Sequence, residues 1–295
     1  MSKSILAYGT STGTEWISWS DVKKENEVEN TAFPVTSILA GTDLGTDSRG
    51  VLFRAAQLSQ QFGARLTALH VIETNGNILS PTKYQEQAKA TLDTELTRTN
   101  LGNVHVKSHV RKGVPGPLLM KEMHDHRTDV SVLGFHHERS LDPVTLGSTM
   151  RHVLIETKKD VLLTVPSASQ AYQSVLVSWD GEKPLAPALQ RAQYYAPRAK
   201  LSVFMNVPLQ EAIPPATTQI QTQLTKAGFD PKGVKAIVTS GPITDALYEA
   251  IQNESCDLMI LPTRGNQNGD LGYMASQIIA HRFCDTLCCQ ESCLN

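Results

Sequence analysis

Gly113, fifteen residues, then Asp129-Val130-Ser131-Val132-Leu133 and Gly134; Gly241, fifteen residues, then Asp257-Leu258-Met259-Ile260-Leu261 and Pro262: the chain runs through one pattern twice at identical spacing. Upstream, each copy has a short apolar stretch that ends in an aspartate, Ser37-Ile-Leu-Ala-Gly-Thr-Asp43 and Ser174-Val-Leu-Val-Ser-Trp-Asp180. Downstream, each has a small residue followed by serine at the same distance, Gly147-Ser148 and Ala275-Ser276. A period of roughly 130 residues is far longer than a solenoid unit, so the pattern indicates a duplicated domain.

Length and composition agree. A chain of 295 residues suits about two domains. A net charge of −2 with no basic stripe argues against nucleic acid as the main partner. No apolar run approaches a membrane span, and the apolar stretch after Met1 is too short for a secretory signal, so a soluble cytoplasmic protein is expected. All five cysteines lie in the second half, which is no disulfide framework for the whole chain.

In the first copy an apolar strand over 37–42 precedes Val51, Leu52, Ala55, Leu58 and Phe62 at helical spacing, with Gly63 suited to the cap. Strands follow at Leu66–Ile72, Val104–Val110, Val130–Leu133 and Val161–Val165, with helices from about Tyr84, from Gly116 and from about Ser148. The second copy repeats the order, with strands at 174–179, 201–207, 234–239, 257–261 and 286–290. Its helices start near Pro184, Thr217, 243 and Ser276. Strand and helix in alternation mean an α/β fold with parallel, doubly wound sheets. The expected division is an extension over 1–35, one domain over 36–167 and a second over 173–295, joined by a short polar linker, Ser167–Tyr172.

In such sheets ligands bind beyond the carboxyl ends of the strands, where the winding reverses. With strand order 3-2-1-4-5, Asp43 and Gly134 end the two strands that flank that point. A carboxylate there can accept hydrogen bonds from a ribose or an exocyclic amine. The Gly147-Ser148-Thr149 corner opens a helix whose free N–H groups can hold a phosphate. The plainer alternatives are that Asp43 caps its own turn and that Ser148 is an ordinary N-cap.

The run Asp129 to Gly134-Phe-His-His137, nine residues, then Gly147-Ser148-Thr149, behind a strand ending in Asp43, resembles the universal stress protein family. Nucleotide-binding members of that family carry Gly-x2-Gly-x9-Gly-Ser/Thr. The second copy resembles it through Asp180, Pro262-Thr-Arg-Gly265, nine residues and Ala275-Ser276. The resemblance covers about residues 36–166 and 173–290. It implies two tandem Rossmann-like, five-stranded parallel sheets. It also implies an adenine nucleotide, ATP or AMP and with it magnesium, held by Asp43, Gly134, His137, Gly147, Ser148 and Thr149, and more weakly by Asp180, Gly265 and Ser276 in the second copy. Both copies depart from the motif: His137 stands where the second glycine is expected, Pro262 replaces the first glycine and Ala275 the third. Single domains of the family pair through their last strands, so the two copies are expected to form an internal pseudo-dimer at Val161–Val165 and Thr286–Gln290. A homodimer of whole chains is a further expectation.

No catalytic residue is assigned. The sequence has no nucleophile elbow and no Walker lysine, so the chain is not expected to be an enzyme beyond a slow ATP hydrolase. The function implied is a stress-response sensor or regulator; the alternative is a scaffold or protein-interaction module that binds no nucleotide. No metal centre is expected either. His124-Asp-His126 and His136-His137 are separated by a strand of roughly 13 Å, and the Cys284, Cys288, Cys289, Cys293 spacing matches no common metal pattern.

Overall fold

The computed structural model describes residues 34–45, 48–74, 81–99, 102–135, 147–166, 170–263, 271 and 273–290. In the first half these form β1 (Ser37–Thr42), α1 (Ser48–Phe62), β2 (Arg65–Glu73), α2 (Pro81–Arg98), β3 (Val106–Gly113), α3 (Pro115–Asp125), β4 (Val130–Gly134), α4 (Ser148–Glu156) and β5 (Asp160–Thr164). The second half gives β6 (Ser174–Ser178), α5 (Ala186–Tyr195), β7 (Lys200–Val207), a 3-10 turn (Gln210–Ala212), α6 (Ile213–Lys226), β8 (Lys235–Ser240), α7 (Ile243–Asn253), β9 (Leu258–Thr263), α8 (Tyr273–His281) and β10 (Asp285–Gln290). The central strands are apolar runs because helices cover both faces; Ile38, Leu39, Ala40, Val130, Val132, Val175, Leu176 and Leu258 are all fully buried or nearly so. On α1 the buried stripe is Val51, Leu52, Ala55 and Leu58, and Gly63 at φ 65° ends the helix.

Several elements extend beyond their expected limits, β3 and α6 among them. β3 continues to Gly113 because β2 pairs with it as far as Glu73. α6 starts at Ile213, four residues before Thr217, with Pro214 and Pro215 in its first turn. Proline is at home there, since the first N–H groups of a helix have no partner within it.

All ten strands form one sheet in the order β3-β2-β1-β4-β5-β10-β9-β6-β7-β8. Each half has the order 3-2-1-4-5, and every pairing is parallel except that of β5 with β10. At that seam Leu163 faces Thr286, Leu162 faces Leu287 and Val161 faces Cys288. The fifth strands thereby cover each other's open edges. One apolar cluster runs across the seam from Leu39, Leu133 and Leu163 to Leu176, Phe204 and Met259.

Two reciprocal ion pairs lock the seam. Arg54 on α1 bonds Asp285 on β10 at 2.9 Å, and Arg191 on α5 reaches both oxygens of Asp160 on β5 at 3.1 Å. Arg54 and Arg191 occupy the same place on equivalent helices, and the two aspartates open equivalent strands, so each half lends its arginine to the other's last strand. Tyr172 lies under the Arg54 guanidinium, 3.9 Å from ring centre to Cζ, and donates to Asp285 at 2.8 Å. The expected linker thus ends in a buried tyrosine that belongs to the seam. Residues 167–169 of it lie outside the described residues.

The duplication extends to single atoms. The Asp129 carboxylate accepts from the Thr36 and Ser37 N–H groups, and that of Asp257 from Gln173 and Ser174. Ser37 Oγ donates to the His126 carbonyl and Ser174 Oγ to that of Glu254. Arg127 and Ser255 both stand at φ 49°. These aspartates fasten the amino ends of β1 and β6, so the most regular part of the repeat is a structural clasp.

Candidate functional site

The crevice of the first half opens where β1 and β4 end side by side. Gly41 pairs with Leu133, which puts Thr42 level with Gly134 and Asp43 just beyond it. Asp43 is exposed, and its Oδ1 accepts the Gly45 N–H at 2.9 Å. Thr42 Oγ1 accepts the Leu44 N–H at 3.0 Å. Between these two bonds Leu44 is held at φ 62°, a left-handed conformation that a bulky residue rarely adopts. Asp43 therefore does cap its own turn, and that turn presents the carboxylate at the crevice mouth. His70 lines the crevice from β2, half-buried, with Nδ1 2.9 Å from the Thr42 carbonyl.

Gly134 closes β4 against α1: a Cβ added there would lie 3.0 Å from Val51 Cγ2, so the position favours glycine for close packing. Gly147 is the N-cap of α4 at φ −56° and ψ 145°, and no side chain caps the helix. Ser148 is therefore the first helical residue and not the cap, and Thr149 is the second. The amino end of α4, where N–H groups have no partner within the helix, lies at the carboxyl end of the sheet, as Asp43 does. His137 lies outside the described residues. Thr42, Leu44 and His70 are not among the residues the motif nominates. The Asp-x-Gly turn is the signal that points to the first two.

The second crevice differs. Asp180 repeats the turn, with Oδ1 accepting the Glu182 N–H at 3.0 Å, and Gly181 takes the positive φ, 83°. Met205 takes the place of His70, and a Cβ on Gly181 would lie 2.6 Å from its Cε. Gln219 on α6 donates to the Gly181 carbonyl at 2.9 Å. The equal spacing of Gly147-Ser148 and Ala275-Ser276 is not an equivalence in space. From Val130 to Asp160, the residues that pair at the foot of β4 and β5, is 30 residues, and from Leu258 to Asp285 is 27. Met150, Val153 and Leu154, the buried stripe of α4, correspond to Ala275, Ile278 and Ile279 on α8. Ser276 is thus the fourth residue of its helix, beside Arg151 in the comparison, and does not start it. Gly265 lies outside the described residues.

Other groups do not form part of either crevice. Cys256, Cys284, Cys288 and Cys289 are buried, and the first three are in no disulfide. Donation to Cys256 and burial push the Cys284 thiol well up, and burial does the same to Cys288, which keeps both in the protonated, unreactive form. A cavity of about 400 Å³ lies by the amino ends of β1, β4 and β5 and against α5. Charged groups in its lining already pair, Asp160 with Arg191 and Asp129 with Lys159.

Residues 34–166 match the model of the universal stress protein family. The first half of this chain is a universal stress protein domain. Among curated proteins no sequence matches the chain. A universal stress protein from Archaeoglobus fulgidus DSM 4304 superposes with a TM-score of 0.64 at 16% identity, over 88% of this chain and 99% of that one. A functionally unknown protein from Pseudomonas aeruginosa PAO1 gives 0.66 at 17%, over 88% and 94%. At such identities the likeness is one of fold, and it runs through both halves. The second half therefore repeats the fold of the first. No helix among the described residues is long and apolar enough to cross a membrane.

Proposed function

We propose that this chain is a cytoplasmic stress-response sensor that binds one adenine nucleotide, ATP or AMP, in the crevice of its first half. The observation that carries the reading is the asymmetry of the two helix starts. α4 begins at Gly147-Ser148-Thr149 with no side-chain cap, on the same side of the sheet as the exposed Asp43, whereas α8 has its serine one turn inside the helix.

In this reading Asp43 accepts from the ribose or the base, and the α4 amino end with the Ser148 and Thr149 hydroxyls holds the phosphates. Gly134 allows close approach, and His137 takes the second glycine position of the motif in sequence. Magnesium would enter with the phosphates as the nucleotide's own counterion. Asp180, Gly265 and Ser276 form at most a weaker second site. The described crevice residues supply no nucleophile with an adjacent base, so occupancy, and not turnover, is the signal; any hydrolysis is slow.

Native mass spectrometry of the purified chain, followed by a thermal-shift titration with ATP, ADP and AMP, tests the proposal. The expected result is one nucleotide per chain and a stabilisation that grows with ligand concentration, lost in Asp43→Ala and in Gly147→Val. No bound mass and no shift at millimolar nucleotide would leave a scaffold whose crevices hold a different ligand or none.

A further inference from the structure

On the outer strand of the first half, far along the sheet from the crevice, three metal-binding side chains meet. His109 projects from the middle of β3. Glu122 and His126 are four residues apart on α3 and its C-cap, and so share one face. The Glu122 side chain is only 4% exposed, and the imidazoles of His109 and His126 cover it at 22% and 27%. Glu122 Oε2 lies 3.1 Å from His109 Nδ1 and 3.2 Å from His126 Nε2. All three donor atoms fall within 4.8 Å of one another.

The other carboxylate oxygen is already engaged: Arg111 Nε donates to Glu122 Oε1 at 2.5 Å. A buried carboxylate with one oxygen fixed from outside and the other turned toward two imidazoles is placed as a metal ligand needs to be.

The second half shows that the fold does not require this cluster. The matching positions there are Ile237 on β8, Ala250 on α7 and Glu254 at its C-cap. Ala250 is 4% exposed and Ile237 packs against the apolar core. An ordinary apolar contact thus closes the same corner, without a buried charge. Buried ionic groups bring little net stability over such packing, so the first half carries the cluster for some other reason.

We propose that His109, Glu122 and His126 form a three-ligand site for a divalent transition metal, zinc being the best match, with the fourth position open to solvent. Two imidazoles and a carboxylate are a donor set for zinc rather than for magnesium or calcium, which favour all-oxygen shells. With metal–ligand distances of about 2.0–2.2 Å, the edges of a tetrahedron are roughly 3.3 Å. The two carboxylate–imidazole separations already match. The two nitrogens close on each other by side-chain rotation, which partly exposed rings allow. Arg111 Nη2, now 3.4 Å from His109 Nδ1, must withdraw toward solvent, and its side chain is 43% exposed. The sequence signal is Glu-x3-His on a helix that follows a strand histidine; His124 and the pair His136-His137 draw attention from it.

Cobalt(II) titration of the full chain, read by its visible absorption and followed by displacement with zinc, tests the site. One ion per chain is expected, with a tetrahedral spectrum and without the near-ultraviolet thiolate band that cysteine ligation would give. His109→Asn and His126→Asn should each weaken binding at least about tenfold, while His124→Asn leaves it unchanged. Circular dichroism of each variant checks folding, since both replaced rings are partly exposed. No ion bound by the unsubstituted chain, a thiolate band, or binding that survives both His109→Asn and His126→Asn overturns the proposal.

Discussion

After β1 the chain turns at Asp43-Leu44-Gly45, and after β6 at Asp180-Gly181-Glu182; the two turns are the same shape built from different residues. Each aspartate accepts the N–H two positions on, at 2.9 and 3.0 Å, and each middle residue has positive φ, 62° and 83°. Glycine adopts that conformation without strain, whereas leucine does not. The second turn is relaxed and packed in by Met205 and Gln219. The first is strained, and it holds its carboxylate at a crevice whose neighbouring helix starts at a glycine with no side-chain cap. Strain kept where an easier residue is available is the mark of a position selected for something besides stability. The duplication preserved the backbone in both halves, and the side chains then parted ways.

The largest effect should come from the feature the halves share. Asp285→Ala leaves Arg54 buried without its partner and should cost about 3–5 kcal/mol in urea unfolding, with Asp160→Ala somewhat less because Asp160 is 11% exposed against 1%. The paired change Arg54→Met with Asp285→Leu should recover most of that loss. If the single changes prove harmless, the seam is held by strand pairing and apolar contact alone.

Nucleotide should separate the halves. At a hundred times its dissociation constant a ligand stabilises the folded state by about 2.7 kcal/mol. The thermal shift should vanish in Asp43→Ala and persist in Asp180→Ala. Loss in both variants, or in Asp180→Ala alone, would reverse the assignment of the working crevice.

Exchanging the turn residues is a smaller test. Leu44→Gly should gain about 0.5–1 kcal/mol, the relief of left-handed strain less the entropy glycine adds to the unfolded chain. Gly181→Leu should lose at least about 1–2 kcal/mol, because the strain is joined by overlap with Met205. Equal responses would mean that the two turns carry no different load.

The smallest effect is one of pH. The Glu122 carboxyl lies below its ordinary value of 4.5 when folded, so it contributes stability above that pH and loses it as acid titrates the folded group. Asp160 and Asp285 have the opposite sign: burial holds them above 3.8 despite their arginines, and protonation relieves a cost. Acid unfolding of Glu122→Gln should therefore show a flatter acid limb than the unsubstituted chain. Ala250 gives the second half no counterpart.

Much of this is readable from residue order. Apolar runs ending in Asp43 and Asp180, the helical stripe of α1 and the repeated Gly-x15-Asp spacing give the strand and helix order, because periodicity and chain direction are local properties. The pairing of the fifth strands was legible only through resemblance, and the register came out within the expected segments. Three things were not legible. Ala275-Ser276 lies at the spacing of Gly147-Ser148, yet burial, not spacing, sets where a helix starts, and the loop before α8 is three residues shorter. Tyr172 reads as linker but is drawn under Arg54. His109 and Glu122 are thirteen residues apart with a helix start between them, so nothing local announces that they touch.

By itself, then, the sequence determined two α/β halves in tandem, since the alternation of strand and helix follows from hydrophobic period, while the strand order was an expectation that rested on the family resemblance. Tertiary structure alone decided which residues start the helix at each crevice, how Arg54 and Arg191 cross the seam, and which histidines meet a buried carboxylate. Those depend on contacts between residues distant in the chain, and such contacts are set by packing the whole sheet at once.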